Sequence, residues 1–265
     1  MAGPTTAERG ADEDLDSGPP PRRRLPGPRA LIAVAVVLVL IGGTSVWALY
    51  GSSWLRAERV SVSGTRVLTE AEVRQAADVP LGDPLISVDL DGIESRLLQK
   101  LPRIDSVEVA RSWPHGIGLK VSERTPVLIV GAAGNSGKYV EVDAKGVRFA
   151  TVSRAPEGVP LLELAVSRSG SSAASLRRFG EDRLVREAVR VAGAVPAVLA
   201  HETLVVKVRS YDSISLGLTG DRTVAWGSAE KGRAKARALA ALIKAAPNAG
   251  HFDVSVPTAP ASSGS

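Results

Sequence analysis

The run from Ala30 to Tyr50 constrains this chain more than any other segment, because it contains no charged side chain. A helix of about 20 apolar residues can cross the hydrocarbon layer of a membrane with its backbone hydrogen bonds satisfied internally. Trp47 and Tyr50 lie at one end, where amphipathic rings favour the headgroup region, and Arg29 lies at the other. The sequence therefore predicts one transmembrane helix at 30–50, with its arginine end in the cytoplasm.

A cleaved signal peptide is the alternative interpretation of this run, because signal peptides also begin with arginines and end near small residues such as Ala48. The long leader and an apolar run exceeding the usual 7 to 15 or so residues favour a retained helix. The leader, residues 1–29, is predicted to be a disordered cytoplasmic tail, since it has too few apolar residues to fold. Residues 258–265 consist of Thr, Ala, Pro, Ser and Gly only, and are predicted to be a disordered C-terminal tail.

Composition limits the function classes. The net charge of +5 is not gathered into a basic stretch with interleaved aromatics, so nucleic-acid binding is not expected. The chain has no Cys, which excludes disulfides, thiolate nucleophiles and Cys-ligated zinc. With 44% hydrophobic but only 4% aromatic residues, any core is built mainly from aliphatic side chains.

The first segment after the membrane run has the pattern β-α-α-β-β. Residues 56–64 alternate as a half-buried strand, and Thr69 and Glu72 have the spacing of a capping box at a helix start. An apolar stripe over 90–101 indicates a second helix, and alternation across 107–121 indicates a hairpin.

From Val127 onward the chain changes to short strands with two longer helices. The sequence predicts a helix that Pro196 kinks or ends, and an Ala-rich helix that begins at Ser228. The predicted elements are strands at 127–130, 139–142 and 147–149, a helix at 181–200, strands at 204–208, 214–218 and 223–226, a helix at 228–246 and a strand at 252–256.

Six short motifs follow one another along the chain, namely Val60–Gly64, Leu81–Leu85, Arg111–Pro114, Glu123–Pro126, Val142–Phe149 and Val159–Leu161. The order of the first five elements resembles a POTRA module, and the motifs resemble those of the bacterial cell-division family FtsQ, also called DivIB. The positions that match the family as structural residues are Gly64, Gly82, Arg111, Trp113, Pro114, Glu123, Arg124, Pro126, Asp143 and Gly146.

The resemblance implies a single transmembrane helix followed by an extracytoplasmic α+β region, with a POTRA-like module at 56–124 and a strand-rich β-domain with helices at 125–257. It also implies a non-enzymatic divisome scaffold at the septum of the cytoplasmic membrane. Its expected partners are FtsB/DivIC-like and FtsL-like bitopic proteins, other divisome membrane proteins and the lipid bilayer.

In this family the C-terminal region engages the bitopic partners, which points to Phe252, Asp253, Val254, Ser255 and Val256 as a site for strand addition. An edge strand offers unpaired backbone groups to another chain, and Pro257 is compatible with an edge. An ordinary buried strand would show the same alternation, so both interpretations stay open.

No catalytic, cofactor-binding or metal-binding residue is predicted. Ser228 and Lys231 have S-x-x-K spacing, but no S-D-N or K-T-G motif accompanies them, so a helix start is favoured over a nucleophile. Gly134–Lys138 lacks the glycine spacing and hydroxyl of a phosphate-binding loop. His115, His201 and His251 are far apart in the sequence and have no carboxylates at ligand spacing, so each is interpreted as a surface or turn residue and not as a metal ligand or base. The alternatives for function are a membrane-anchored cell-wall enzyme and a POTRA-type translocation or chaperone factor.

Overall fold

The computed structural model describes residues 28–132, 137–165 and 178–264. Helix α1 spans Pro28–Tyr50, and its 23 residues make it about 34 Å long. Within the described part of the chain, Leu31–Tyr50 is the one stretch long and apolar enough to cross a membrane. The predicted helix is confirmed, and it begins two residues early at a proline, which suits a first helical turn. Of the predicted N-terminal tail, residues 1–27 lie outside the described residues.

The N-terminal module, residues 54–124, has the predicted β-α-α-β-β order. Its sheet has the strand order β1-β3-β2, in which β1 runs parallel and β2 antiparallel to β3. The elements are β1 (Arg59–Ser63), α2 (Glu70–Ala77), α3 (Leu90–Lys100), β2 (Ile104–Ser112) and β3 (Gly116–Glu123).

The helices of this module begin where local chemistry favours a start. The Thr69 hydroxyl accepts from the Glu72 amide at 3.2 Å, and the Glu72 carboxylate accepts from the Thr69 amide at 2.8 Å, which confirms the predicted capping box. Both helices pack their apolar faces against the sheet, because that contact removes the apolar side chains from water. The fully buried residues include Val73, Ala77, Ile93, Leu97, Ile117 and Leu119.

The second part, called here the β-domain, is built on one mixed sheet of nine strands in the order β12-β11-β10-β9-β8-β7-β4-β5-β6. The pairs β4–β7, β7–β8 and β10–β11 are parallel and the others antiparallel. The elements are β4 (Pro126–Gly131), β5 (Tyr139–Asp143), β6 (Arg148–Val152), β7 (Leu161–Leu164), α4 (Glu181–Ala194), α5 (Ala197–Ala200), β8 (Thr203–Ser210), β9 (Ser213–Leu218), β10 (Thr223–Gly227), α6 (Gly232–Ala245), β11 (His251–Asp253) and β12 (Ala261–Ser263).

The core of the β-domain lies between this sheet and its helices. Trp226 on β10 and Phe252 on β11 are its largest fully buried side chains. Helix α4 contributes an apolar face, and strands β8 and β9 contribute the residues that alternate inward. The core is thus mostly aliphatic, as the composition predicts.

Two predicted helix boundaries differ in the structure, and one strand has no counterpart in the prediction. The helix expected over 181–200 divides into α4 and α5, because Pro196 has no amide hydrogen to continue the ladder. The helix expected at Ser228 begins at Gly232, since Lys231 has a left-handed backbone at φ 56°. The strand without a counterpart is β7, whose four residues Leu-Leu-Glu-Leu are too few to establish a period.

The predicted disordered tail at 258–265 is wrong for the residues described. Ala261–Ser263 form β12, which pairs antiparallel with β11. The strand predicted at 252–256 is shorter, at His251–Asp253, and it is not the last strand of the sheet. Small polar residues carry no hydrophobic signal, so their pairing comes from the backbone of β11 alone.

Candidate protein-interaction surface

The segment predicted to bind partners is partly interior. Phe252 and Val254 have 0% of their surface exposed, so these side chains face the core. The Asp253 carboxylate accepts from the Ser255 amide at 2.8 Å, and hydrogen bonds from the Ser255 hydroxyl and amide lower the pKa of Asp253. Val256 lies beyond the strand and is 54% exposed. Most of this segment therefore packs in the core at the end of the sheet, and only Val256 exposes a large apolar side chain.

Strand β12 forms the end of the sheet. Its three residues are exposed, and they pair with β11 at Asp253↔Ala261, Phe252↔Ser262 and His251↔Ser263. No strand in the described ranges pairs with the other side of β12. Backbone donors and acceptors on that side are therefore available to another extended chain.

An apolar groove lies next to this end of the sheet. One wall is a face of α6 that carries four small residues together with Arg237 and Leu242, and the other wall is formed by Pro257 and Pro260. The small residues are Ala234, Ala238, Ala241 and Ala245. The groove has a volume of about 490 Å³ and opens to solvent. Small side chains allow close approach of a partner helix or strand, and apolar walls favour apolar side chains of that partner.

A buried lysine holds α6 on the sheet end. Lys235 is 2% exposed, and its ammonium donates to the carbonyl oxygens of Trp226 at 2.9 Å and Ser228 at 2.8 Å. Burial lowers the pKa of Lys235, with the charge of Glu230 acting in the opposite direction. The lysine thus fixes the helix that lines the groove to the end of β10.

The family-like residues of the N-terminal module stabilise its loops. Arg111 donates to three backbone carbonyls, those of Leu85 and Val88 at 2.8 Å and that of Ile86 at 3.1 Å. Gly64 has φ 84°, and a Cβ there would lie 2.1 Å from the Val121 carbonyl oxygen. Three more lie in turns at the opposite end of the module, namely Gly82, whose amide donates to Ala57, the half-exposed Trp113, and Pro114.

Four of the remaining family-like residues, all except Glu123, lie where the module joins the β-domain. Arg124 pairs with Asp143 and with Asp105, the latter at 2.9 Å. Asp143 also accepts from the amides of Lys145 and Val147, both at 2.8 Å, and closes the β5–β6 turn. Pro126 opens β4 opposite Asp143. Gly146 has φ 82°, and a Cβ there would lie 2.7 Å from Arg186 Cγ, so this turn packs against α4.

A second ion pair crosses the same junction. Arg103 donates to Glu141 at 2.6 Å, and the two side chains are only 14% and 5% exposed. The sequence motifs identify Arg124 and Asp143 but give no indication of Arg103 and Glu141. Their positions, just before β2 and within β5, reveal the pair only once the strands are placed.

Glu123 anchors the loop that precedes α2. Its carboxylate accepts from the amides of Arg66 at 2.7 Å, Val67 at 3.1 Å and Leu68 at 3.0 Å. Burial alone would raise the pKa of Glu123, but these hydrogen bonds outweigh burial and hold the pKa below its usual value. The ionised form is therefore the stabilising one.

We expect Glu123→Gln to destabilise the protein in a pH-dependent manner. Because the folded pKa is lowered, the contribution of Glu123 is fully present above its unfolded pKa of about 4.3 and is lost as the pH falls through the folded value. Thermal unfolding of the unsubstituted protein and of Glu123→Gln at a series of pH values should show a difference in unfolding free energy that is largest near neutrality. Glu108→Gln, at a 72% exposed side chain, is the matched control. An equal gap at all pH values for Glu123→Gln would contradict this role.

Two of the histidines considered for catalysis lie within hydrogen-bonding distance of groups in neighbouring segments. The His115 ring lies 2.8 Å from the Trp54 carbonyl oxygen, and the His251 ring lies 2.8 Å from the Thr223 hydroxyl. The described residues contain no group of three or more His, Asp or Glu side chains placed to hold a metal ion. Most of the loop Gly134–Lys138 lies outside them.

Comparison with known proteins gives one consistent result. A family model described as "POTRA domain, FtsQ-type" matches residues 55–124. Cell division protein FtsQ of Streptomyces collinus is 68% identical over 270 residues, covering 100% of both chains. The protein of that name from Streptomyces venezuelae is 56% identical over 277 residues, covering 100% of this chain and 99% of the relative. The one from Mycolicibacterium smegmatis is 30% identical over 240 residues, covering 91% of this chain and 66% of the relative.

Proposed function

Because this chain belongs to the FtsQ family of cell division proteins, we propose that it serves cell division as a non-enzymatic scaffold, recruiting and linking septal membrane proteins. The observation that carries the proposal is the outer side of β12, which pairs with no strand of the part of the chain that the structure describes and lies beside an apolar groove. The non-enzymatic assignment is supported by Ser228 and Lys231, which both precede α6 and so lack the helical S-x-x-K arrangement that brings a lysine to a nucleophilic serine.

The scaffold is anchored by α1 with its N-terminus in the cytoplasm and its folded part outside, at the division septum. The arginines at 22–24 and Arg29 support this orientation, since cytoplasmic flanks of membrane helices are enriched in Arg and Lys. Trp47, Tyr50 and Trp54 at the other end suit the outer headgroup region.

The partners are small bitopic division proteins of the FtsB/DivIC-like and FtsL-like kinds. An extended segment of such a partner adds to the outer side of β12, and an apolar segment beside it fills the groove along α6. Backbone hydrogen bonds provide the affinity, and the side chains in the groove provide the selectivity. In this proposal the contact lies beyond the segment that the sequence predicts, and the burial of Phe252 and Val254 supports that choice.

Anchoring adds to the strength of these contacts. Partners that span the same membrane are confined to one plane, which raises their effective concentration at the scaffold without any new contact. A three-residue edge strand can then be sufficient for recruitment, although it would bind weakly in free solution.

The test is truncation after Pro260 in a strain depleted of the natural protein. We expect copurification of the bitopic partners to fall at least about tenfold, which corresponds to about 1.4 kcal/mol, because the pairing edge is removed. The matched control exchanges the side chains of β12 and keeps its backbone, as Ala261→Ser, Ser262→Ala and Ser263→Ala. This control should keep partner binding, since strand addition uses the backbone. Undiminished copurification after truncation would exclude β12 as the site.

A further inference from the structure

Three segments are tied together at one end of the N-terminal module. The Arg56 guanidinium donates to the Gly82 carbonyl oxygen at 2.6 Å, and the Ala57 amide donates to the backbone carbonyl oxygen of Asp83 at 2.9 Å. The amides of the next two residues, Glu58 and Arg59, donate to the His115 carbonyl at 2.8 and 3.2 Å. The start of β1, the loop before α3 and the β2–β3 turn therefore form one rigid end, called here the proximal end.

The proximal end exposes three large apolar side chains, one from each segment. Trp54 is 68% exposed, Leu81 is 59% exposed and Trp113 is 50% exposed. The Trp54 and His115 rings meet edge to face, with centroids 6.2 Å apart. Exposed clusters of this kind mark interaction surfaces, and indole rings have an apolar body with one polar N–H, which suits the boundary between lipid and water.

The chain itself brings this end to the membrane. Trp54 follows the last residue of α1, Tyr50, by four positions, and four residues span at most about 14 Å even when fully extended. A lipid surface is therefore within reach of Trp54, and the hydrogen bonds described above keep Leu81 and Trp113 at the same end.

The charges at the proximal end do not select a particular lipid. Arg56 and Arg59 lie there together with Glu58 and Asp83, so the formal charges of these four residues cancel. Apolar and indole contacts would then provide the attraction, and attraction to anionic headgroups would contribute little.

We propose that Trp54, Leu81 and Trp113 insert into the outer headgroup region of the bilayer and dock the N-terminal module on the membrane. This docking rests on the membrane anchor and is independent of β12. Its effect is to hold the proximal end at the membrane surface.

The absence of Cys makes a depth measurement direct, because a single introduced Cys carries the only spin label. The full-length chain with Leu81→Cys, labelled with a nitroxide, is reconstituted in vesicles. We compare the collision rates of the nitroxide with two reagents, oxygen, which is enriched in lipid, and a nickel chelate, which is soluble in water. Val67→Cys is the matched control, because Val67 is also apolar and 65% exposed but lies at the opposite end of β3, next to Glu123. The eight residues of β3 place the two ends about 25 Å apart.

We expect the ratio of oxygen to chelate collisions to be several-fold higher at position 81 than at position 67, in zwitterionic and in anionic vesicles alike. Adding Trp113→Ala should lower the ratio at position 81 and leave position 67 unchanged. Equal ratios at the two positions would overturn the proposal, and so would shielding of position 81 from both reagents, which indicates a protein contact. Near-ultraviolet circular dichroism, to which the buried Trp226 contributes, checks that each variant is folded.

Discussion

Replacing Phe252 by Ala lowers the free energy of unfolding by about 3–5 kcal/mol, the usual cost of emptying a buried aromatic site. Phe252 is 0% exposed and lies in register with Val224 on β10. Both edges of β11 are thus paired, one with β10 and the other with β12, and the Phe252 side chain fills the core. Urea unfolding of the full-length chain in detergent, followed by near-ultraviolet circular dichroism, measures the change.

Val256→Ala is the matched control, since it lies four residues away in the segment predicted to bind partners but is 54% exposed. Its effect is expected to remain within about 0.5 kcal/mol, as for most surface substitutions. A small loss of stability in Phe252→Ala, together with a loss of partner binding, would show that Phe252 reaches the surface and contacts the partner. The pair of variants therefore separates a core residue from a binding residue.

Replacing Arg124 by Ala is expected to cost about 3 kcal/mol or more, because it leaves carboxylates without their cation at a largely buried junction. The side chains of Arg124 and Asp143 are 16% and 6% exposed, and Asp105 is 33% exposed. Lys145 still pairs with Asp105 at 2.7 Å, so the uncompensated charge falls mainly on Asp143. Thermal unfolding of the full-length chain measures the loss.

Two further variants test this explanation. Lys120→Ala removes an ion pair with Glu108 whose side chains are 73% and 72% exposed, and it should change stability by less than about 0.5 kcal/mol. Arg124→Ala combined with Asp143→Asn should be more stable than Arg124→Ala alone, since Asn keeps an oxygen that accepts from the Lys145 and Val147 amides without the charge. If the double variant is no more stable, the cost of Arg124→Ala arises from lost packing.

Local signals predicted the N-terminal module well. The capping box at Thr69 needs only three residues, and the hairpin around Trp113 follows from alternation in adjacent segments, so both are visible without knowledge of the rest of the fold. The motif residues were also recognisable. Their pairing was not, because Arg124 and Asp143 lie 19 positions apart and meet only after the β-domain has formed.

The C-terminal end was the least predictable part, and it carries the candidate site. Ala261–Ser263 are small residues without alternation, so their strand depends on an edge supplied by β11. Burial of Lys235 was equally hidden, since an ammonium is expected at the surface and is accepted here only because two carbonyls bind it. Alternation correctly indicated a strand near Phe252, but it could not distinguish a covered strand from a terminal one.

The order of strands in the large sheet has a consequence for how the chain is assembled. Beyond β4, strands β7, β8, β9, β10, β11 and β12 follow one another across the sheet in the order in which they are synthesised. Each new strand can therefore pair with an edge that is already in place as the chain emerges from its N-terminus onward. A partner strand on β12 would be the next addition to this series. A chain terminated before residue 261 would never present that edge, so the proposed recruitment through β12 would begin only after residue 263 has been synthesised.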